Sequence, residues 1–341
     1  MTLRRWLGAV VAGCALVASA STSASLGVTP ARADDGRGDA HGDDHAADAG
    51  GLVEKATLTV APGKRPIRAV SIDNPLGDVR IEGHDGTSVQ IESVKHAPDT
   101  DTLQRLRVTL VPDPDGTVRL TSTLGDARER PPAALGTIRI DLVVRVPRAA
   151  KVEGRVGRGR LEARNLDGGA DLDAGAGAIV VANVAGGVLA RSVDGNQHFA
   201  QVFGNLDAHA VDAELELETV RGQTLEAQVY KGAIAGHGLA SRRMRLTAIH
   251  GDITVATEAQ PGGSIVVSSV DGSVNVTVHS PGRVRVKARA GGTLTLAGTT
   301  PAGDGWIQQQ FGAGRATGAI QLQSRFGDVS FSLIDDAATR P

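Results

Sequence analysis

Between residues 52 and 150, apolar and polar side chains alternate in short runs. This two-residue period belongs to strands with one buried face. Ala56-Thr57-Leu58-Thr59-Val60, Val79-Arg80-Ile81, Val89-Gln90-Ile91, Leu106-Arg107-Val108-Thr109-Leu110 and Ile138-Arg139-Ile140-Asp141-Leu142 read this way. Turn-forming pairs separate them, among them Pro62-Gly63, Asn74-Pro75, Asp85-Gly86 and Asp115-Gly116. One short helix is expected, over Thr100 to Leu106.

A stricter pattern begins at Gly159. Glycines recur at 159, 168, 177, 186, 195 and 204, Ala213 takes the next step and Gly222 the one after, each nine residues from the last. With the glycine as position one, position three holds Leu161, Ala170, Ile179, Val188, Gln197, Leu206 and Leu215. Position five holds Ala163, Leu172, Val181, Ala190, Phe199, Ala208 and Leu217. Position eight holds Leu166, Gly175, Val184, Val193, Val202, Val211 and Val220. Positions three and five share one face of a strand, and position eight is expected to point inward again after a bend, which places Val202 and Val211 in the core. The glycine marks a corner where a Cβ would hinder the turn. A fixed short period is the mark of a stacked repeat architecture. The predicted fold is all-β, a parallel β-helix or β-solenoid with half-coil units of about nine residues, two units to a coil, coils stacked about 4.8 Å apart.

The register slips by one near Lys231 and returns at Gly251-Asp252-Ile253-Thr254-Val255 and around Gly263 and Gly272. A looser insert, Thr299 to Gly314, carries Trp306 and Gln308-Gln309-Gln310. With the region from 52 to 150, it is a candidate for covering the open ends of the stack.

The resulting organisation is a signal peptide over 1–33, an Asp/Gly/His-rich linker over 34–51, and an N-terminal β region over 52–150 that is expected to run on into the solenoid. Solenoid repeats follow over 151–334, then a polar tail over 335–341. Arg4 and Arg5 precede an apolar stretch from Trp6 to Ala20, and Ala31-Arg32-Ala33 supplies a small-residue cleavage site before Asp34. No later stretch has the twenty or so apolar residues of a membrane-spanning helix, so the mature chain is expected to have no such span. Val11-Ala12-Gly13-Cys14 resembles a lipid-attachment signal, which makes Cys14 a candidate for lipidation and the chain a candidate for a lipid anchor; simple secretion is the alternative. Cys14 is the single cysteine, so no intramolecular disulfide forms. In the linker, Arg37-Gly38-Asp39 and the pair His41 and His45 among aspartates are read as features of a solvated tether.

Composition sharpens this picture. Glycine accounts for 44 of 341 residues and aromatics for only 2%. The interior must therefore be narrow and filled with Val, Leu, Ile and Ala. The formal net charge is −2, and no basic block with interleaved aromatics occurs, so nucleic acid is not an expected partner.

One motif recurs: a small polar residue, an aliphatic or aromatic one, then Gly-Asp-aliphatic-x-aliphatic. It stands as Ala248-Ile249-His250-Gly251-Asp252-Ile253-Thr254-Val255, as Ser269-Val270-Asp271-Gly272-Ser273-Val274-Asn275-Val276, and as Ser324-Arg325-Phe326-Gly327-Asp328-Val329-Ser330-Phe331. An earlier relative is Asn74-Pro75-Leu76-Gly77-Asp78-Val79-Arg80-Ile81. With Val144-Arg145-Val146-Pro147 before the repeats, the chain resembles the bacterial putative adhesin family of unknown function, over about residues 52 to 334. The resemblance implies a β-helix-like fold and an exported or envelope-anchored setting, and it brings no catalytic residues.

Three chemistries bear on these residues. A β-helical polysaccharide hydrolase or lyase is the alternative reading. Gly236-His237-Gly238 matches a short polygalacturonase motif, and Arg242-Arg243 suits a uronate. Glycoside cleavage also needs two carboxyls at a set separation, and the pairs Asp34-Asp35, Asp43-Asp44 and Asp335-Asp336 lie in the predicted linker and tail. A calcium-binding nonapeptide roll needs aspartates at set turn positions, which the turns here lack. For a transition metal, the nine histidines are scattered; an 18-residue coil stacks His198 between Val180 and Glu216, and Glu214, Glu216 and Glu218 form an outward acidic run. No catalytic, cofactor or metal residues are therefore assigned. The expectation is a non-enzymatic exported module, adhesin-like, scaffolding or ligand-sensing, located in the periplasm, at the cell surface or outside the cell. Its partner would be an envelope or surface polymer, peptide or protein.

Overall fold

The computed structural model describes residues 51–125, 138–280, 282–303 and 305–334. The chain is all-β. Among the described residues, 24 strands join one connected sheet, and the single α-helix is Thr100–Arg105, its first turn closed by the Asp99 side chain accepting from the Thr102 amide. The Asp-Asp pairs, the linker histidines and Cys14 lie outside the described residues.

Two ladders of strands carry the chain. In the first, Leu161–Leu166, Ile179–Val184, Gln197–Val202 and the start of Leu215–Lys231 pair in parallel, so that Leu161, Ile179, Gln197 and Leu215 stand side by side at an 18-residue offset. In the second, Val152, Ala170, Val188 and Leu206 do the same. The offset grows to 19 between Leu206 and Leu225 while Val202 and Val220 still differ by 18. The extra residue expected near Lys231 therefore sits earlier, at the corner between Val220 and Leu225.

The nine-residue units are of two alternating kinds, and this corrects one expectation. In first-ladder units, position seven is in the left-handed region: Asn165, Asn183, Gln201 and Thr219 have φ near +55°. This skips one step of the alternation and turns position eight inward, so Leu166, Val184, Val202 and Val220 are fully buried. Second-ladder units keep strict alternation. Their position seven (Ala174, Ser192 and Ala210) is buried, and position eight points outward, leaving Val193 58% and Val211 48% exposed. Val211 is thus a surface residue, not a core one.

The recurring motif has a mechanical explanation at the corner before each first-ladder strand. Gly177 has φ +132°, and a Cβ there would run into the Gly159 carbonyl of the preceding strand. The residue after the glycine then reaches along the ladder to a backbone amide. Asp78 Oδ1 accepts from Arg160 N at 2.8 Å, Asn196 Oδ1 from Glu214 N at 3.0 Å, Asp252 Oδ1 from Ser273 N at 2.7 Å, and Asp328 Oδ1 from Thr293 N at 2.7 Å. The small polar residue three before the glycine closes the corner from inside. Ser192, Ser269 and Ser324 donate to the carbonyls of Gly195, Gly251 and Gly272. Replacing Asp252 with Ala should therefore strand the Ser273 amide and cost about 1–2 kcal/mol, read as a lower urea midpoint. Asp252→Asn keeps the acceptor and should stay within about 0.5 kcal/mol.

The sheet is mixed, whereas the repeat pattern predicted wholly parallel pairing. Antiparallel strands sit at both ends. Leu52–Val60 pairs antiparallel with Val89–Ala97, which pairs antiparallel with Arg139–Pro147, and Arg107–Pro112 pairs antiparallel with Thr117–Thr123. At the far end, Ile307–Phe311 pairs antiparallel with Arg283–Arg289, next to Trp306, whose ring lies 4.5 Å from Lys287 Nζ. Of these pairs, only Arg107–Pro112 and Thr117–Thr123 are joined by a short turn, which antiparallel neighbours permit and parallel ones do not.

Candidate functional site

The outer face of the first ladder carries two ordered rows of charged side chains. Parallel register puts Arg80, Glu162, Val180, His198, Glu216 and Ala235 in one row across successive strands. The next outward row is Glu82, Arg164, Ala182, Ala200, Glu218 and His237. One end bears three arginines. The Glu162 carboxylate, only 6% exposed, is covered by three guanidiniums: Arg80 at 3.5 Å, Arg160 at 3.8 Å, and Arg164 in direct contact. The other end is acidic. His198 Nδ1 lies 2.9 Å from Glu216 Oε2, and His198, Glu216 and Glu218 each place a ligand-type atom within 4.8 Å of the others. No Lys or Arg pairs with Glu214, Glu216 or Glu218 among the described residues. Between the two ends stand the small, half-buried residues Ala178, Val180, Ala182 and Ala200.

A second feature runs along the corner that follows the second-ladder strands. The in-register pairs Ser192↔Ala210 and Asp194↔Asp212 place Val193 beside Val211, and the same argument carries the column on to Tyr230, Ile249 and Val270. Phe326 extends it, its amide donating to the Val270 carbonyl. Val193, Val211, Tyr230 and Phe326 are exposed, the last two by 56% and 64%, and Ile249 and Val270 are half-buried. The Tyr230 ring stands edge-on to His250 at 5.5 Å, and the Arg325 guanidinium lies 5.0 Å from the Phe326 ring. A charged column flanks the apolar one: Asp194, Asp212, Lys231, His250 and Asp271. Lys231 Nζ is 2.7 Å from Asp212, and that hydrogen bond, with the carboxylate's charge, raises the Lys231 pKa above its ordinary value.

The 18-residue arithmetic places His198 between Val180 and Glu216, as the structure has it. That Glu218 also converges on this pair needed the side chains. His237 of Gly236-His237-Gly238 is exposed and stands next to Glu218 in register, whereas Gly236 faces the core against Leu217 and Val255. Arg242 and Arg243 are both exposed, on a strand paired on both sides. Glu216 and Glu218 converge on an open face. A depression of about 380 Å³ lies on the other ladder, lined by Asp171, Leu189, Asp207, Glu226 and Lys151 among others, and a smaller one lies around Thr257 and His279. The exposed apolar column escaped sequence reading, because position eight was assigned to the core in every unit. Its available signal was the asparagine at position seven in alternate units only.

No family model matches the chain, and no characterised protein matches it in sequence. Solved structures resemble it at low identity. A putative adhesin from Bacteroides fragilis is 12% identical over 82% of this chain and 97% of that one, with a TM-score of 0.38. A putative cell adhesion protein from Clostridium sporogenes is 11% identical over 83% and 100%, with a TM-score of 0.31. A putative lipid binding protein from Parabacteroides distasonis is 8% identical over 83% and 96%, with a TM-score of 0.37. Among the described residues no helix is long and apolar enough to cross a membrane.

Proposed function

We propose that this chain is a non-enzymatic, exported binding module of the cell envelope, adhesin-like, built as a two-faced parallel β-solenoid with antiparallel strands at its ends. The 18-residue offsets in both ladders support the solenoid reading. On this reading residues 1–33 direct export, 34–51 tether, 52–150 begin the stack and 151–334 continue it. The mature chain is either freely secreted or lipid-anchored through Cys14.

The observation that carries the binding role is the apolar corner column. Isolated exposed apolar residues are ordinary on protein surfaces, but a contiguous exposed stripe rimmed by charge marks a contact surface. Val193, Val211 and Tyr230 stand on successive strands, about 4.8 Å apart. This raised, regular edge suits an extended partner such as an envelope polymer or peptide, and it does not enclose a small substrate.

The test is retention of cell-wall polymers, lipid vesicles and envelope extract by the immobilised chain, compared with Val211→Asp and Tyr230→Asp. Both substitutions sit on the surface and should leave melting unchanged while reducing retention at least about tenfold. Undiminished retention in both variants would reject the stripe as the contact surface. Retention of nothing by the native chain would leave a purely structural role.

A further inference from the structure

We infer that the depression on the second ladder is a binding site for a neutral sugar unit of a glycan chain, and that Gly187 keeps it open. Val152, Ala170, Val188, Leu206 and Leu225 stand in register on successive strands. The residues just before them are Lys151, Gly169, Gly187, Asn205 and Thr224. Two glycines therefore lie side by side, with side chains standing on both flanks, and the gap spans about 10 Å. Asp171, Leu189, Asp207 and Glu226 form the adjoining outward row and line its long side. The volume of about 380 Å³ falls within the range of small-ligand clefts, about 300–1,000 Å³.

The two glycines differ in their reasons. Gly169 is demanded by the backbone, because its φ is +86° and a Cβ would run into the Gly187 carbonyl. Gly187 is not. Its φ lies outside the left-handed region, and a Cβ would meet only the Asn205 carbonyl, at 3.8 Å. The turn would accept a side chain at 187; the depression would not.

The lining selects a neutral ligand rich in hydroxyls. Its charges are balanced. Lys151 Nζ is 3.4 Å from Glu153, Asp171 is 3.7 Å from Arg191, Asp207 is 2.7 Å from His209, and Glu226 stands beside Arg245 in register. A charged ligand would have to compete with these pairs. What the walls offer is a mixture: the carboxylates accept, the Lys151 ammonium donates, and the Thr224 hydroxyl does both. Asn205 is held by its Oδ1, which accepts from the Thr224 amide at 3.1 Å, and its Nδ2 is left to donate. Sugar hydroxyls donate and accept at once. The C–H face of a pyranose ring can rest on Leu189, which stands between Asp171 and Asp207. The depression lies at the start of the second-ladder strands and the apolar column near their ends, so either surface can fail without the other.

The test is a titration of the isotopically labelled full chain with neutral di- to tetrasaccharides of glucose, galactose, mannose and N-acetylhexosamines, followed by amide chemical shifts. At least one should bind with a dissociation constant of about 1 mM or tighter, moving the amides of Gly187 and Asn205. Gly187→Gln, which fills the gap, and Asp207→Ala, which removes an acceptor, should each weaken it at least about tenfold with unchanged melting. Val211→Asp should leave it unchanged. Oligouronides and glucosamine oligomers, charged analogues of the same size, should bind more weakly. The inference is overturned if no neutral saccharide shifts these amides, if Gly187→Gln binds as the native chain does, or if a charged oligomer binds tighter than every neutral one.

Discussion

Val202→Asp should unfold the repeat region, whereas Val211→Asp, nine residues away at the same position of the repeat, should leave it folded. Val202 is fully buried, turned inward by the left-handed Gln201 at φ +56°. A carboxylate there has no water and no cation, and the cost of such a group should exceed about 4 kcal/mol. That approaches the whole stability of a typical domain, about 5–15 kcal/mol. Val211 follows an unbroken alternation and stands on the outer corner, 48% exposed, so its substitution should stay within about 0.5 kcal/mol. Circular dichroism at the strand minimum and thermal melting measure both. Equal effects in the two variants would refute the two-kind description of the units.

Gly177→Ala should be among the most damaging single-methyl changes in the repeats. Its φ of +132° is a conformation that L side chains rarely adopt, and a Cβ would meet the Gly159 carbonyl, which is backbone and tied into the ladder. Strain of this kind costs about 1–3 kcal/mol by itself, and the clash adds to it, so a loss of about 3 kcal/mol or more is expected. Gly187 is the control. A Cβ there meets only the Asn205 carbonyl at 3.8 Å, and its φ lies outside the left-handed region. Gly187→Ala should be neutral or slightly stabilising, because it restricts the unfolded chain. Chemical denaturation of the two variants beside the native chain gives the comparison. A Gly177→Ala protein as stable as the Gly187→Ala protein would mean that the corner glycines are not held by geometry.

These two contrasts mark how much of the fold and surface was legible beforehand. Burial at positions three and five, the corner glycines and the His198–Glu216 adjacency follow from a nine-residue period and the two-residue pleat. Position eight misled, because one residue in the left-handed region changes which way everything after it points. Asn165 and Asn183, 18 residues apart, hint at this, since asparagine tolerates that conformation, but Gln201 and Thr219 in the same role conceal it. The apolar column was lost to the same error. The charge pattern of the outer face became visible only once Arg80, distant in sequence, was paired beside Glu162.

What the sequence by itself determined is the local rule: that positions three and five of each unit are inward, where the chain must turn, and that the interior is narrow and aliphatic. These follow from pleat, glycine geometry and hydrophobic period, each of which acts over a few residues. What only the tertiary structure decided is the order of strands at the ends. Val79–His84 lies between Arg139–Pro147 and Leu161–Leu166, and Val329–Ile334 lies between Val274–His279 and Leu294–Leu296. There the pairing partner is between about 35 and 82 residues away. Its choice rests on which edge is left open for backbone hydrogen bonds, a property of the assembled sheet that no short period records.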